Sequence, residues 1–346
     1  MRIRHISAGA ALGLLLVPAA ADAATKSVFR GPPPKGQLKG VQGPAFDSSF
    51  YPSRVKLAAG DKIKLTTLGF GDTIFVPKGE QVPAFGIPNP NAPITDAKDA
   101  AGQDMWFNGQ PNVSPNPQVI APTGGTVIDG TKLVGSGIAL GGPPKPWKVR
   151  FPKAGTYTLR SALQPGVKLR VLVTEESRSS AKLDKRRTKA QRKAASKLAN
   201  RLLKFEGPSG DVVRAGNDKK GVATIAFFPA KKTVKVGDTV TFAMSKQSIE
   251  LHNVHFGPRD YLDPFAQRFL GQNFEPFVVY RSEAPGTAIS FDGANHGNGY
   301  VNTGLLDANG ATPFPTSEKV TFTKAGTYDY YCAVHGNDMA GQITVQ

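Results

Sequence analysis

Two distant stretches of the chain nearly coincide: residues 147–157 read WKVRFPKAGTY and residues 318–328 read EKVTFTKAGTY. Each leads on to an apolar strand, VLV at 171–173 and ITV at 343–345. The approaches match as well, with Gly135-Ser136-Gly137-Ile138 before the first and Asn302-Thr303-Gly304-Leu305 before the second. A looser echo lies upstream, at residues 55–77 (VKLAAGDKIKLTTLGFGDTIFVP) and 234–258 (VKVGDTVTFAMSKQSIELHNVHFGP). Both read as a strand, a Gly-Asp turn, a second strand and a third that closes on Pro. Two units of this length mean two copies of one domain, since a solenoid needs more repeats.

The repeated segments are strands. Thr239-Val240-Thr241-Phe242 and Val320-Thr321-Phe322 alternate with period two and are rich in β-branched and aromatic residues. The chain carries 38 Gly and 28 Pro without a Gly-X-Y period, which excludes collagen and fits short strands joined by tight turns. Hydrophobic residues at 40% are enough for a core and exclude wholesale disorder. The expected fold is all-β, one Greek-key sandwich in each half.

The flanking and linking segments differ. Arg2, Arg4 and His5 precede an apolar run from Ile6 to Val17, and Ala21-Asp22-Ala23 follows. That layout is a secretory signal peptide over residues 1–23, since the run is shorter than the ~20 residues of a spanning helix. Its removal places the protein outside the cytoplasm, secreted or in the periplasm or cell envelope, with no transmembrane span. The formal charge of +17 falls to +16 when two Arg and Asp22 leave. Residues 175–204 hold eleven Lys/Arg, three Asp/Glu and no Gly or Pro. There Leu183, Ala190, Ala194, Leu198 and Leu202 keep helical spacing, so a basic helical linker is expected between a domain at 24–174 and a domain at 205–346. Its charge fits a membrane or nucleic-acid surface, or a solvated helix packed by its Ala/Leu stripe. The solvated helix is the reading adopted, with no nucleic-acid partner, because no recognition motif accompanies the charge.

Chemistry concentrates at the end of the second copy. Cys332, the chain's one cysteine, lies in Tyr330-Tyr331-Cys332-Ala333-Val334-His335, with Met339 close behind and Leu251-His252-Asn253-Val254 upstream. One thiolate, two imidazoles and a thioether are the donor set of a trigonal copper site with a weak axial ligand. His255, three residues after His252, points to the other strand face and reads as a packing or surface residue. His296, within Gly293–Gly299, reads as an exposed loop histidine.

These motifs resemble the plastocyanin/azurin family of cupredoxins, which has a His-Asn-Val strand, a Tyr-x-Tyr-x-Cys strand, a Cys-x-x-His loop and a Met-x-Gly ending. The resemblance covers roughly 205–346. It implies one type 1 (blue) copper per chain, with His252, Cys332 and His335 as strong ligands and Met339 as the axial one. Asn253 would pin the two ligand loops together. It implies electron transfer, and no catalytic residue is assigned. The fold expected is then two cupredoxin-like sandwiches. The first is degenerate, because aligning KAGTY sets Ser161 opposite Cys332 and Gln164 opposite His335, with Asp72 opposite His252. A redox partner protein of acidic character, or an anionic cell-envelope surface, suits the charge. The alternative is a two-domain copper oxidase or nitrite-reductase-like enzyme, which needs a further histidine-bound copper. Only His255 and His296 remain for one after the signal.

Overall fold

The computed structural model describes residues 23–31, 38, 40–41, 43–138 and 146–346. The leader expected at 1–23 lies outside the described residues except for Ala23. No helix among the described residues is long and apolar enough to cross a membrane.

Alternation decides the strands. In Lys62–Thr67, Ile63 and Leu65 are buried while Lys62 and Lys64 are exposed; in Thr239–Met244 the buried set is Val240, Phe242 and Met244. Each anchors the first sheet of its half. The order Trp147–Arg150, Lys62–Thr67, Thr25–Arg30, Phe50–Tyr51 is repeated by Ser317–Phe322, Thr239–Met244, Val212–Ala215, Phe227–Phe228. Among the described residues, this sheet of the second half has an additional outer strand, Ile289–Phe291.

The facing sheets repeat too. Arg54–Ala58, Leu169–Thr174, Gly155–Arg160, Ile74–Phe75 and Val134–Ser136 match Lys231–Val234, Gly336–Val345, Gly326–Cys332, His255–Phe256 and Val301–Asn302. The expected architecture of two cupredoxin-like sandwiches is present. Each pair of sheets closes on its own core, with Val28, Leu65, Phe151 and Leu159 in the first and Phe242, Phe256, Phe322 and Ile343 in the second. Burying one such side chain stabilises the fold by about 1.5–3 kcal/mol.

A third core joins the halves. Phe85, Phe107 and Val113 of the first meet Phe274, Phe277, Tyr331 and Ala333 of the second in one apolar cluster. Phe85 and Phe274 lie 5.2 Å apart, and Phe107 and Phe277 meet edge to face at 5.3 Å. The Phe274 amide donates to the Val113 carbonyl, and strand Ala45–Asp47 pairs with Val222–Thr224. The ends of both ligand-bearing strands therefore abut the first half.

The basic segment is a helix, Ala181–Leu203, capped by the Ser180 side chain. Its buried residues are Ala195, Leu198, Ala199 and Leu202, whereas Ala190 and Ala194 of the expected stripe are exposed. The early turns lie on polar ground: Asp184 bonds Lys26 at 2.6 Å, and Gln191 bonds the backbone at Ser53 and Phe50. The last turns reach apolar neighbours, among them Leu38, Val41 and Val222.

Candidate metal centre

The hairpin Gly326–Cys332 and Gly336–Val345 carries Cys332 at the end of its first arm, and its register shifts between Tyr331 and Cys332. That irregularity opens the short loop that turns His335 back toward the sulfur. Met339 is fully buried on the second arm, in the same cluster as Cys332. His252 comes from the segment before His255–Phe256, which pairs with the cysteine strand, and its backbone exchanges hydrogen bonds with Leu306.

Three donors converge. The ligand atoms of His252, Cys332 and His335 all lie within 4.8 Å of one another. His252 Nδ1 is 3.9 Å from Cys332 Sγ and His335 Nδ1 is 3.4 Å from it. A trigonal ion with bonds of about 2.0 Å to nitrogen and 2.3 Å to sulfur needs S-to-N edges of roughly 3.7 Å, so both edges at the sulfur lie close to those of a metal site. Burial keeps both rings neutral with their lone pairs available. It lowers His335 to about 4 and His252 well below its ordinary value, the latter helped by its neighbour His335. Burial also pushes the Cys332 thiol up to about 11, against hydrogen bonds from the Asn253, His335 and Val334 amides. A cation among the three atoms offsets that cost by favouring the thiolate.

Asn253 fixes the loops relative to each other. Its amide donates to Cys332 Sγ at 3.5 Å, and its Oδ1 accepts from the Ala333 amide at 2.8 Å. His252 Nε2 is buried without a hydrogen-bond partner and lies against Gly216, where a Cβ would stand 2.6 Å away. Gly216 also has φ +68°, so a side chain there is excluded twice.

His255 is fully buried behind the centre, with Nε2 2.9 Å from the Phe277 carbonyl and 3.2 Å from Asn253 Nδ2. It is a packing residue. His296 departs from expectation. Instead of standing in solvent, it lies 3.1 Å from both Asp99 Oδ2 and Glu283 Oε1. Those two acids come from different halves, and together they raise its pKa, Glu283 contributing most.

Glu250 had no motif to mark it. It is half-buried, and its Oε2 lies 4.0 Å from His335 Nε2. Burial, then Asp218, pushes it up to about 8, while Gln164 and Arg30 act in the opposite sense.

In the first half, Leu159 pairs with Phe75 and Arg160 with Ile74. In the second, Tyr330 pairs with Phe256 and Tyr331 with His255. Asp72 therefore matches Asn253, not His252 as the sequence alignment suggested, and the match of His252 is Gly71. The hydrogen bonds agree, since Asp72 Oδ2 accepts from the Ala162 amide at 2.9 Å as Asn253 Oδ1 does from Ala333. The two upstream segments differ in length, so counting through their loops slipped by one residue.

Residues 214–346 match the copper binding proteins of the plastocyanin/azurin family. Among solved structures, an oxidised plastocyanin from Dryopteris crassirhizoma is 23% identical. The match covers 39% of this chain and 99% of that one, with a TM-score of 0.23. The Cu(I) form of an amicyanin variant is 23% identical over 40% of this chain and 85% of its own, with a TM-score of 0.22. No curated protein matches the chain.

Proposed function

We propose that this chain, whose residues 214–346 form a copper-binding domain of the plastocyanin/azurin family, is an exported carrier of single electrons. His252, Cys332 and His335 hold the copper, and Met339 is its axial ligand. The observation that carries the reading is the buried triangle of two neutral imidazoles and one thiol, with every ligand atom within 4.8 Å of the others. Copper bound there supplies a one-electron couple, Cu(II)/Cu(I). The residues supply a rigid cage. Asn253 ties the His252 segment to the Cys332 loop, so the donors keep their places when the charge of the ion changes. Tyr331, Ala333 and the apolar core beneath them exclude water from the cysteine side. Three strong donors and a thioether leave no open position for a substrate to displace water, which favours a carrier over an oxidase or nitrite reductase.

The domain division 24–174, 175–204 and 205–346, and the leader at 1–23, belong to the same proposal. Export suits a lone buried thiol that a metal protects from oxidation.

The test is copper loading of the full chain. The wild type should take up one copper, turn blue by thiolate-to-copper charge transfer and cycle reversibly by one electron. Cys332→Ser should fold and stay colourless. A coloured mutant, or a wild type that binds only zinc, ends the reading. Steady turnover of oxygen or nitrite that needs a second copper per chain would establish the enzyme instead.

A further inference from the structure

The metal-bearing end of the second half and the matching end of the first share one cavity of about 910 Å³. Matched positions of the two halves line it: Phe70 with Leu251, Leu163 with Val334 and Gln164 with His335. Of the four proposed copper ligands, His335 is the one in this lining, while His252, Cys332 and Met339 are sealed beneath it. The His335 side chain is 15% exposed. Its Nδ1 faces Cys332 Sγ, so the ring edge that carries Nε2 is turned away from the sulfur. With Nδ1 given to the metal, Nε2 keeps the ring hydrogen and is a donor.

The walls are apolar, built from Phe70, Leu163, Leu251, Phe269 and Leu270 among others. Phe70 and Leu270 are 44% and 47% exposed, so large apolar side chains stand where the cavity meets solvent. Such an opening suits an apolar ligand, and the volume lies in the range of small-molecule sites. Among the described residues no lysine or arginine lines the cavity, so an anion would lose its water there without a partner. The polar groups narrow the chemistry further. Glu250 Oε2 stands 4.0 Å from His335 Nε2, too far for a direct hydrogen bond. One hydroxyl oxygen about 2.8 Å from each atom spans that gap. It accepts from the Nε2 hydrogen and donates to the carboxyl group, which keeps acceptor capacity in either protonation state. Gln164 is fixed on the other side. Its Oε1 accepts from Arg30 Nη2 and its backbone amide donates to Ser161 Oγ at 2.9 Å, which leaves the amide nitrogen as its remaining side-chain polar atom.

We propose that this cavity binds a small neutral phenol as the electron donor of the copper centre. The aromatic ring lies between the apolar walls, and its hydroxyl bridges His335 Nε2 and the Glu250 carboxyl. One electron and one proton leave the phenol. Its O–H bond breaks, the electron passes through the His335 ring to copper(II), which becomes copper(I), and the proton goes to water at the cavity mouth. A neutral phenoxyl radical is the organic product. A ring edge recessed in a cavity is reached by a molecule that enters it, not by the flat face of a protein. The first half therefore selects what meets His335, and Phe70, Leu163 and Gln164 are its contributions to the binding site.

This inference rests on the copper reading, so the test begins without copper. Calorimetry with the metal-free full chain should show para-phenylphenol binding one to one. The ring resonances of His335 should shift on binding and those of His296 should stay in place. The methyl ether of the same phenol cannot donate and should bind about fivefold more weakly. The anion para-phenylbenzoate should bind more than about tenfold more weakly. Leu163→Trp fills the cavity and should abolish binding. Phe70→Ser, at an exposed position, should weaken binding severalfold and carries the test if Leu163→Trp does not fold. In the copper-loaded protein, methylhydroquinone should bleach the blue colour at a rate that saturates with its concentration, and Phe70→Ser should raise the half-saturating concentration severalfold. No binding of para-phenylphenol, His335 resonances that do not move, or equal affinity for the methyl ether overturns the inference. A bleaching rate that stays linear and is unchanged in Phe70→Ser passes the electron outside the cavity and overturns it too. Phenol binding to a chain that takes up copper without colour counts against the copper reading instead.

Discussion

The three donors differ in how many protons they must give up. Burial sets His335 at about 4 and His252 well below its ordinary range, so both rings are already neutral at pH 6. Cys332, at about 11, is still a thiol at pH 8. Copper binding between these pH values should therefore release one proton, from Cys332, and apparent affinity should rise about tenfold per pH unit. Competition titrations against a chelator of known pH behaviour measure the slope. A slope of two or more would mean that a second group gives up a proton on binding, a ligand histidine or the neighbouring Glu250. The donors themselves were legible in the sequence, because a cysteine, two histidines and a methionine in that order carry their chemistry with them. Gly216, Glu250 and Arg30 were not. Each matters by where the fold places it, and spacing along the chain does not contain that placement.

Helix Ala181–Leu203 shows the same limit at the scale of an element. Its existence followed from a long run without Gly or Pro at helical spacing. Its buried face was read one step off, because Ala190 and Ala194 fit the period as well as Ala195 and Ala199 do. What decides between them is the ground beneath, polar under the early turns and apolar under the last. Two variants should therefore differ. Leu198→Ala removes a buried side chain and is expected to cost about 2–5 kcal/mol, at the low end because the site lies in a small cluster. Ser180→Ala removes the cap that accepts from the Leu183 amide at 3.2 Å and should cost about 1 kcal/mol. Urea unfolding monitored by circular dichroism measures both. Equal losses would mean that the helix is held by its ends and not by Leu198.

On the scale of the molecule, the helix presents one sign of charge. Lys182, Arg186, Lys189, Lys193, Lys197 and Arg201 are exposed and recur every three or four residues, forming a cationic stripe about 28 Å long. Asp184, the helix's one acidic residue, faces Lys26 instead. This stripe is the feature that best suits the anionic partner expected from the net charge. Association with an acidic redox protein should slow as salt rises through 0.15 M, where the screening length is about 8 Å. Replacing Lys189, Lys193 and Lys197 by Gln should remove most of the salt dependence without changing the copper spectrum. Stopped-flow reduction at several ionic strengths tests this, and a salt slope unchanged in the triple variant assigns the steering to another surface.

The halves are also joined by a titrating contact. His296, in the second half, lies between Glu283 of the same half and Asp99 of the first, and its side chain is 18% exposed. The two acids raise its pKa above the ordinary value, Glu283 contributing most and burial opposing them. A group whose folded pKa lies above its unfolded one adds stability in full below the unfolded pKa, near 6.5. That contribution is lost as pH climbs through the folded value. His296→Gln keeps a polar side chain and cannot carry the charge. The wild type should therefore exceed His296→Gln by up to about 1 kcal/mol at pH 5.5, and the excess should shrink toward pH 9. The halves share the core around Phe107, Phe274 and Phe277, so loosening this contact should lower one common unfolding transition and not split it in two. Calorimetry at both pH values reads the size of the effect and the number of transitions. A gap between the variants that stays constant with pH would place His296 outside the balance of forces that holds the halves together.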